Sequence, residues 1–160
     1  MCDCQKCLIT EAEEDGIERI CVGALIVRKN KENTESVLLL KRTPGDYLGG
    51  IWELPSGKVG AGEDLNSALK REVFEETGLE VKKILDHIGF FDYTSQSGKR
   101  TRQFNFVVEV ESGDELGKPQ LNPLEHSEFK WIEYADLNEC EVSPEVKELI
   151  RKYFEEFGNL

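Results

Sequence analysis

Basic charge is scarce in this chain. Lys and Arg number 20 against 32 Asp and Glu, giving a net charge of −12. A general binder of nucleic-acid polymer needs a basic surface, so the balance argues against that class. It leaves open a small anionic substrate, because a bound metal ion neutralises phosphate locally. Long apolar runs are missing too. The longest, Cys21 to Val27, is broken by Gly23 and falls well short of the ~20 residues a membrane-spanning helix requires. The opening MCDCQKC has neither a basic nor an apolar signal region, so no membrane association and a cytoplasmic location are expected. Cys4 and Cys7 have C-x2-C spacing with Cys2 beside them, but the second such pair that a zinc ribbon needs is absent. Residues 1–16 are therefore expected to be a flexible, reduced tail without disulfides. Internal repeats and low-complexity segments are also lacking, and 160 residues suit one domain, here 17–160.

What is present is a series of strands with two helices. Ile17–Arg28 and Ser36–Arg42 have nearly continuous apolar middles, as strands buried on both faces do. Thr43–Gly50 is a Pro- and Gly-rich loop, and Ile51–Pro55 is short and extended. Glu80–Tyr93 reads as extended, Thr94–Gly98 as a hairpin loop, and Lys99–Glu111 as a strand with one strongly apolar face. After the polar loop Ser112–Glu125 comes a last strand, Phe129–Tyr134. Ser143 then caps an amphipathic helix that has Pro144 at its first position. This order predicts an α/β fold with a mixed sheet covered on both sides.

The stretch Gly57–Leu79 departs from ordinary structural patterning. Leu65, Ala68, Leu69 and Val73 make a helical apolar stripe, with Asp64 as N-cap and Gly78 as the terminating left-handed residue. Near the end of that helix, Glu72, Glu75 and Glu76 share an arc of roughly 100°. Each opposes the helix dipole at a cost of about 0.3–1 kcal/mol. Mutual repulsion at ~6 Å adds roughly 0.7–3 kcal/mol per pair. A hard divalent cation reverses the sign of both effects, and Mg²⁺ bound by carboxylates commonly also holds phosphate.

The same stretch, GKVGAGEDLNSALKREVFEETGL, resembles the signature of the Nudix hydrolases, G-x5-E-x7-R-E-U-x-E-E-x-G-U, where U is an aliphatic residue. Gly57, Glu63, Arg71, Glu72, Val73, Glu75, Glu76, Gly78 and Leu79 fill its fixed positions. The resemblance implies an α/β/α sandwich with a mixed β-sheet, and hydrolysis of a pyrophosphate linkage by water. It further implies Mg²⁺, or Mn²⁺, on Glu72, Glu75 and Glu76, joined by the Ser56 carbonyl and by Glu125, which lies six residues before Trp131. One of the glutamates, here taken as Glu72, serves as base, with Glu75 as the other catalytic carboxylate and Arg71 orienting a carboxylate. Gly57, Glu63 and Gly78 would support the site. His126 reads as a surface histidine.

Arg42, Lys58, Tyr47 and Phe90 are the candidates for binding substrate, with Arg102 a further phosphate candidate. The stretch WELPSGKVGAGE looks most like the MutT-like members, which cleave nucleoside di- or triphosphates, some of them oxidised, to the monophosphate. Ser143 stands where members that clean up oxidised guanine nucleotides often carry asparagine. Cleavage of ADP-ribose, another nucleotide sugar or a dinucleotide is the alternative within the class. A non-catalytic nucleotide-binding module and a plain acidic scaffold are the rivals outside it. A small-molecule nucleotide is the expected partner, and a homodimer is common among such relatives.

Overall fold

A computed structural model of the chain describes residues 4–111 and 118–158, so 112–117 of the expected loop over 112–125 lie outside the described residues. Three helices, α1 (Gln5–Glu14), α2 (Leu65–Thr77) and α3 (Pro144–Glu156), surround seven strands. The strands are β1 (Arg19–Lys29), β2 (Glu35–Arg42), β3 (Trp52–Glu53), β4 (Ser56–Lys58), β5 (Val81–Thr94), β6 (Arg100–Val110) and β7 (His126–Ile132). They form one sheet in the order β3-β2-β1-β6-β5, with β4 also paired to β1 and β7 to β2. The sheet is mixed because β1 runs parallel to β6, Arg19–Ile26 against Thr101–Val108, while the remaining named strand pairs are antiparallel.

Two apolar clusters flank the sheet. Val22, Ala24 and Ile26 of β1 pack with Leu65, Ala68, Leu69 and Val73 of α2. Leu25 of β1 and Val37 and Leu39 of β2 pack with Val146, Leu149, Ile150 and Phe154 of α3. Adjacent β1 residues thus serve opposite faces, as the period of two requires, and the layers form the expected α/β/α sandwich. Tyr153 of α3 donates a short, buried hydrogen bond to Glu35 at the start of β2.

The N-terminal segment corrects an expectation. Residues 5–14 are helical, with Cys4 as N-cap accepting from the Cys7 backbone N–H. Leu8 and Ala12 are buried in the α2-side core. The Gln5 side chain accepts from Leu65 N at 3.0 Å, satisfying one of the unpaired donors at the start of α2. Cys7 is disulfide-bonded, which the expectation of a reduced tail did not include. Leu8→Ala should cost about 2–4 kcal/mol of stability. Denaturant unfolding would read the cost directly, and an unchanged midpoint would return this segment to a loose tail.

β6 also differs. It is buried on both faces, not only on the Phe104, Phe106 and Val108 side, because Gln103 and Asn105 are buried on the other. Gly23 makes room for them: a Cβ there would lie 2.4 Å from both side-chain amides. The last strand starts earlier than expected, at His126, and Tyr134–Glu139 is a 3-10 turn.

Candidate active site

Helix α2 begins and ends where the sequence predicts. Asp64 accepts from Ser67 N, and Gly78 sits at φ 70°, the left-handed conformation that closes the helix. Its carboxylates then meet β4. Glu76 is buried, and its Oε1 accepts from Ser56 N at 2.7 Å. The Glu72 carboxylate lies directly over Gly57, where a Cβ would come within 2.1 Å of its carboxyl carbon. The signature glycine is therefore needed for close approach of a side chain, since Gly57 is not among the residues with positive φ.

Arg71 holds the loop and helix together. Its Nε donates to Glu63 Oε2 at 2.8 Å and its Nη2 to Glu63 Oε1 at 2.9 Å. Nη1 reaches Glu72 at 2.7 Å and Glu75 at 3.1 Å, and Nη2 also reaches the Lys58 carbonyl at 2.9 Å. One planar donor fork thus contacts Glu63, Glu72 and Glu75 together. The Arg71 bonds, with the Gly60 N–H, hold Glu63 down at about 2.

Glu125 comes from the turn before β7. Glu125 N and His126 N both donate to the Asn122 carbonyl, and Thr43 N donates to the Glu125 carbonyl at 3.0 Å, which ties the turn to the end of β2. Glu76, Glu125 and His126 each offer a ligand atom, and these atoms lie within 4.8 Å of one another. Glu72 and Glu75 stand apart from this group and are joined through Arg71. Burial pushes the Glu76 carboxyl up to about 9, against the opposing Ser56 N–H, and the negative charges of Glu53, Glu125 and Glu72 add to the rise. Burial also raises Glu72, against the pull of Arg71. Glu72 and Glu76 thus resist ionising in this setting, and with the oxygen donors of Glu125 they form a set that a hard divalent cation fits.

Two groups here were not anticipated. His126 is buried, not on the surface, and its Nε2 lies 2.8 Å from Glu53 Oε1. Glu53, on β3, was not singled out from the sequence at all. It also takes Arg42 Nη1 at 3.2 Å.

A cavity of about 720 Å³ opens on the α3 side of the sheet and reaches β4, where Ser56 and Lys58 line it. Tyr47, Trp52, Phe91 and Tyr93 supply aromatic wall, Arg19 and Lys58 supply positive charge, and Ser143 and Gln103 supply polar groups. Of the proposed substrate contacts, Lys58 and Tyr47 line it. Arg42 lines it too, but its guanidinium is engaged by Glu53, Asp46 and the Tyr47 carbonyl. Phe90 does not line it. Its ring lies against Phe104 and 4.1 Å from the Arg102 guanidinium, on the other face of the sheet. Phe91 and Tyr93 line the cavity instead. Arg102 is likewise withdrawn from phosphate, being buried between Asp92 at 2.7 Å and Asp15 at 3.0 Å.

The family model described as the NUDIX domain matches residues 18–157. Nudix hydrolase 2 of Arabidopsis thaliana is 40% identical over 120 residues, covering 74% of this chain and 41% of that protein. The 8-oxo-dGTP diphosphatase of Buchnera aphidicola is 30% identical over 118 residues, covering 74% of this chain and 78% of its own length. Among solved structures, a binary complex of the Caenorhabditis elegans Ap4A hydrolase superposes with a TM-score of 0.71 at 26% identity, covering 86% of this chain and 96% of that one.

Proposed function

The chain belongs to the NUDIX family and is a Nudix hydrolase, and from that premise we propose that it is a divalent-metal-dependent pyrophosphohydrolase of the MutT-like kind. Its substrate is a nucleoside di- or triphosphate, modified or oxidised bases included, and its nucleotide product is the monophosphate. One observation carries the reading: β4 joins the two parts of the site, since Ser56 bonds Glu76 and Gly57 lies under Glu72, while Ser56 and Lys58 line a 720 Å³ cavity whose walls combine aromatic rings with Arg19. That volume suits a nucleotide-sized ligand.

Glu72, Glu75, Glu76 and Glu125, joined by the Ser56 carbonyl, would hold Mg²⁺ or Mn²⁺. The bound ion would neutralise phosphate charge and polarise the phosphorus. Glu72 takes the proton of the attacking water, as its raised carboxyl suits it to do. Arg71 keeps Glu72 and Glu75 directed to the same side through its shared Nη1. Lys58 and Arg19 face the phosphate chain, and Trp52, Phe91 and Tyr47 offer flat surfaces for the base.

The test is a panel of ordinary and oxidised nucleoside triphosphates, ADP-ribose and a diadenosine polyphosphate, assayed for products with Mg²⁺. Triphosphate turnover to monophosphate and pyrophosphate supports the reading; turnover of ADP-ribose alone moves the substrate class. A dinucleoside polyphosphate is the second reading, favoured by the structural likeness to an Ap4A hydrolase.

A pH effect follows from Glu76. Its folded carboxyl titrates at about 9, against an ordinary value of 4.5. The folded chain therefore keeps a proton that the unfolded chain has released. The associated stability is complete below about pH 4.5 and is lost as pH rises to about 9. In metal-free protein the melting temperature should fall over this window more steeply than in Glu76→Gln. Mg²⁺ should raise it more at about pH 9 than at about pH 6, because the ion competes with the proton. Calorimetry with and without Mg²⁺ reads both slopes, and identical slopes in parent and variant would contradict the assignment.

A further inference from the structure

His126 adds something that carboxylates do not. Strand β7 opens with it opposite Arg42, at a register shift between Lys41 and Arg42 of β2. Its side chain is 2% exposed. The Nε2 edge meets Glu53 Oε1 at 2.8 Å, and Glu53 is itself held by Arg42 Nη1 at 3.2 Å. A carboxylate paired with a guanidinium is an acceptor, so in the neutral ring the proton sits on Nε2 and the lone pair on Nδ1.

That Nδ1 is buried and has no hydrogen-bond partner. The closest carboxylate oxygen recorded for it is Glu76 Oε2, at 3.6 Å, beyond hydrogen-bonding distance. The other oxygen of Glu76 is taken by Ser56 N–H, which leaves Oε2 free, and Glu125 brings a third ligand atom within 4.8 Å. Two donors each ~2.1 Å from one ion at a near-tetrahedral angle stand ~3.5 Å apart. The 3.6 Å separation suits two ligands of one cation better than it suits a hydrogen bond.

We propose that His126 Nδ1 is a nitrogen ligand of a divalent cation held together with Glu76 and Glu125, so that the site prefers Mn²⁺, Co²⁺ or Zn²⁺ to Mg²⁺. Glu53 is its positioning residue: it fixes the ring tautomer, and Arg42 fixes Glu53. Imidazole favours transition cations over Mg²⁺, whose ligands are oxygen. The inference rests on the proposed reading of a cation beside α2 but requires no turnover.

Pulsed electron paramagnetic resonance of Mn²⁺ on the full chain tests it, because a coordinated imidazole imposes a nitrogen modulation that carboxylates lack. The chain has two histidines, His87 and His126. The modulation is expected in the parent and in His87→Gln, and should be lost in His126→Gln. Calorimetric titration should show Mn²⁺ affinity falling about 10–100-fold in His126→Gln, with Mg²⁺ affinity changing less than about threefold. If His126→Gln does not fold, the signal retained in His87→Gln still assigns His126. Bound Mn²⁺ without nitrogen modulation in the parent, an unchanged ratio of Mn²⁺ to Mg²⁺ affinity in a folded His126→Gln, or no Mn²⁺ binding overturns the proposal. If nitrogen-coupled Mn²⁺ persists while the nucleotide panel gives no turnover, the ligand assignment stands and the proposed function falls.

Discussion

Glu76→Gln is expected to lower metal-dependent turnover by about a thousandfold while leaving the metal-free fold nearly as stable as the parent. The two effects separate because of where Glu76 sits. Its carboxyl is buried, accepts from Ser56 N at 2.7 Å, and is pushed up to about 9, so near neutral pH it already carries a proton. Glutamine keeps the shape and the carbonyl acceptor for Ser56 but cannot ionise for a cation. Loss of one charged ligand removes on the order of 4 kcal/mol of charge stabilisation in the transition state, which is the thousandfold effect. The rise in melting temperature that Mg²⁺ or Mn²⁺ produces should vanish as well. Steady-state rates and melting curves on the same preparations check the pair. An activity loss that merely follows a loss of folded protein would show Glu76 to be structural.

Gly57→Ala is expected to damage both fold and activity. The added Cβ would sit 2.1 Å from the Glu72 carboxyl carbon and within 2.3 Å of both carboxyl oxygens. The backbone has little freedom to retreat, since Gly57 pairs with Val22 and Ser56 with Gly23 in the β1–β4 ladder. Glu72 must therefore swing away and give up its 2.7 Å bond to Arg71. Overpacking of this kind costs about 1–3 kcal/mol, and a displaced catalytic group costs about a hundredfold in rate. Removing the clashing carboxylate in Gly57→Ala/Glu72→Ala should recover stability but not turnover. If the single variant were fully active, Glu72 could not be positioned as described.

The signature helix was legible because its demands are local. Asp64, the apolar stripe and Gly78 specify one helix, and Glu72, Glu75 and Glu76 stand out as charges that a purely structural helix end would avoid. Arg71 and Glu63 follow from the fixed spacing, and Glu125 from its distance to Trp131. What was missed depends on tertiary pairing. Glu53 and His126 are 73 residues apart and meet only because β3 and β7 both flank β2. Glu53 has no neighbour in sequence that marks it, and His126 has only Glu125 beside it. The sequence does not separate Phe90 from Phe91, because the alternation of β5 cannot be followed through its irregularities at Val81/Lys83, Ile84/Asp86 and His87/Gly89. Each slip exchanges the faces that later residues serve. Helix α1 was read as a tail because it offers the core only Leu8 and Ala12, too little apolar pattern to outweigh its charge.

The central claim is that the α2 carboxylates with Glu125 make this chain a metal-dependent pyrophosphohydrolase, and phosphorus nuclear magnetic resonance tests it most directly. A nucleoside triphosphate would be followed with the parent protein and Mg²⁺, then after a chelator, then after excess Mg²⁺. The predicted result is nucleoside monophosphate and pyrophosphate accumulating, stopping, and resuming. Continued hydrolysis under the chelator, release of orthophosphate with nucleoside diphosphate, or no monophosphate with either Mg²⁺ or Mn²⁺ would contradict the account.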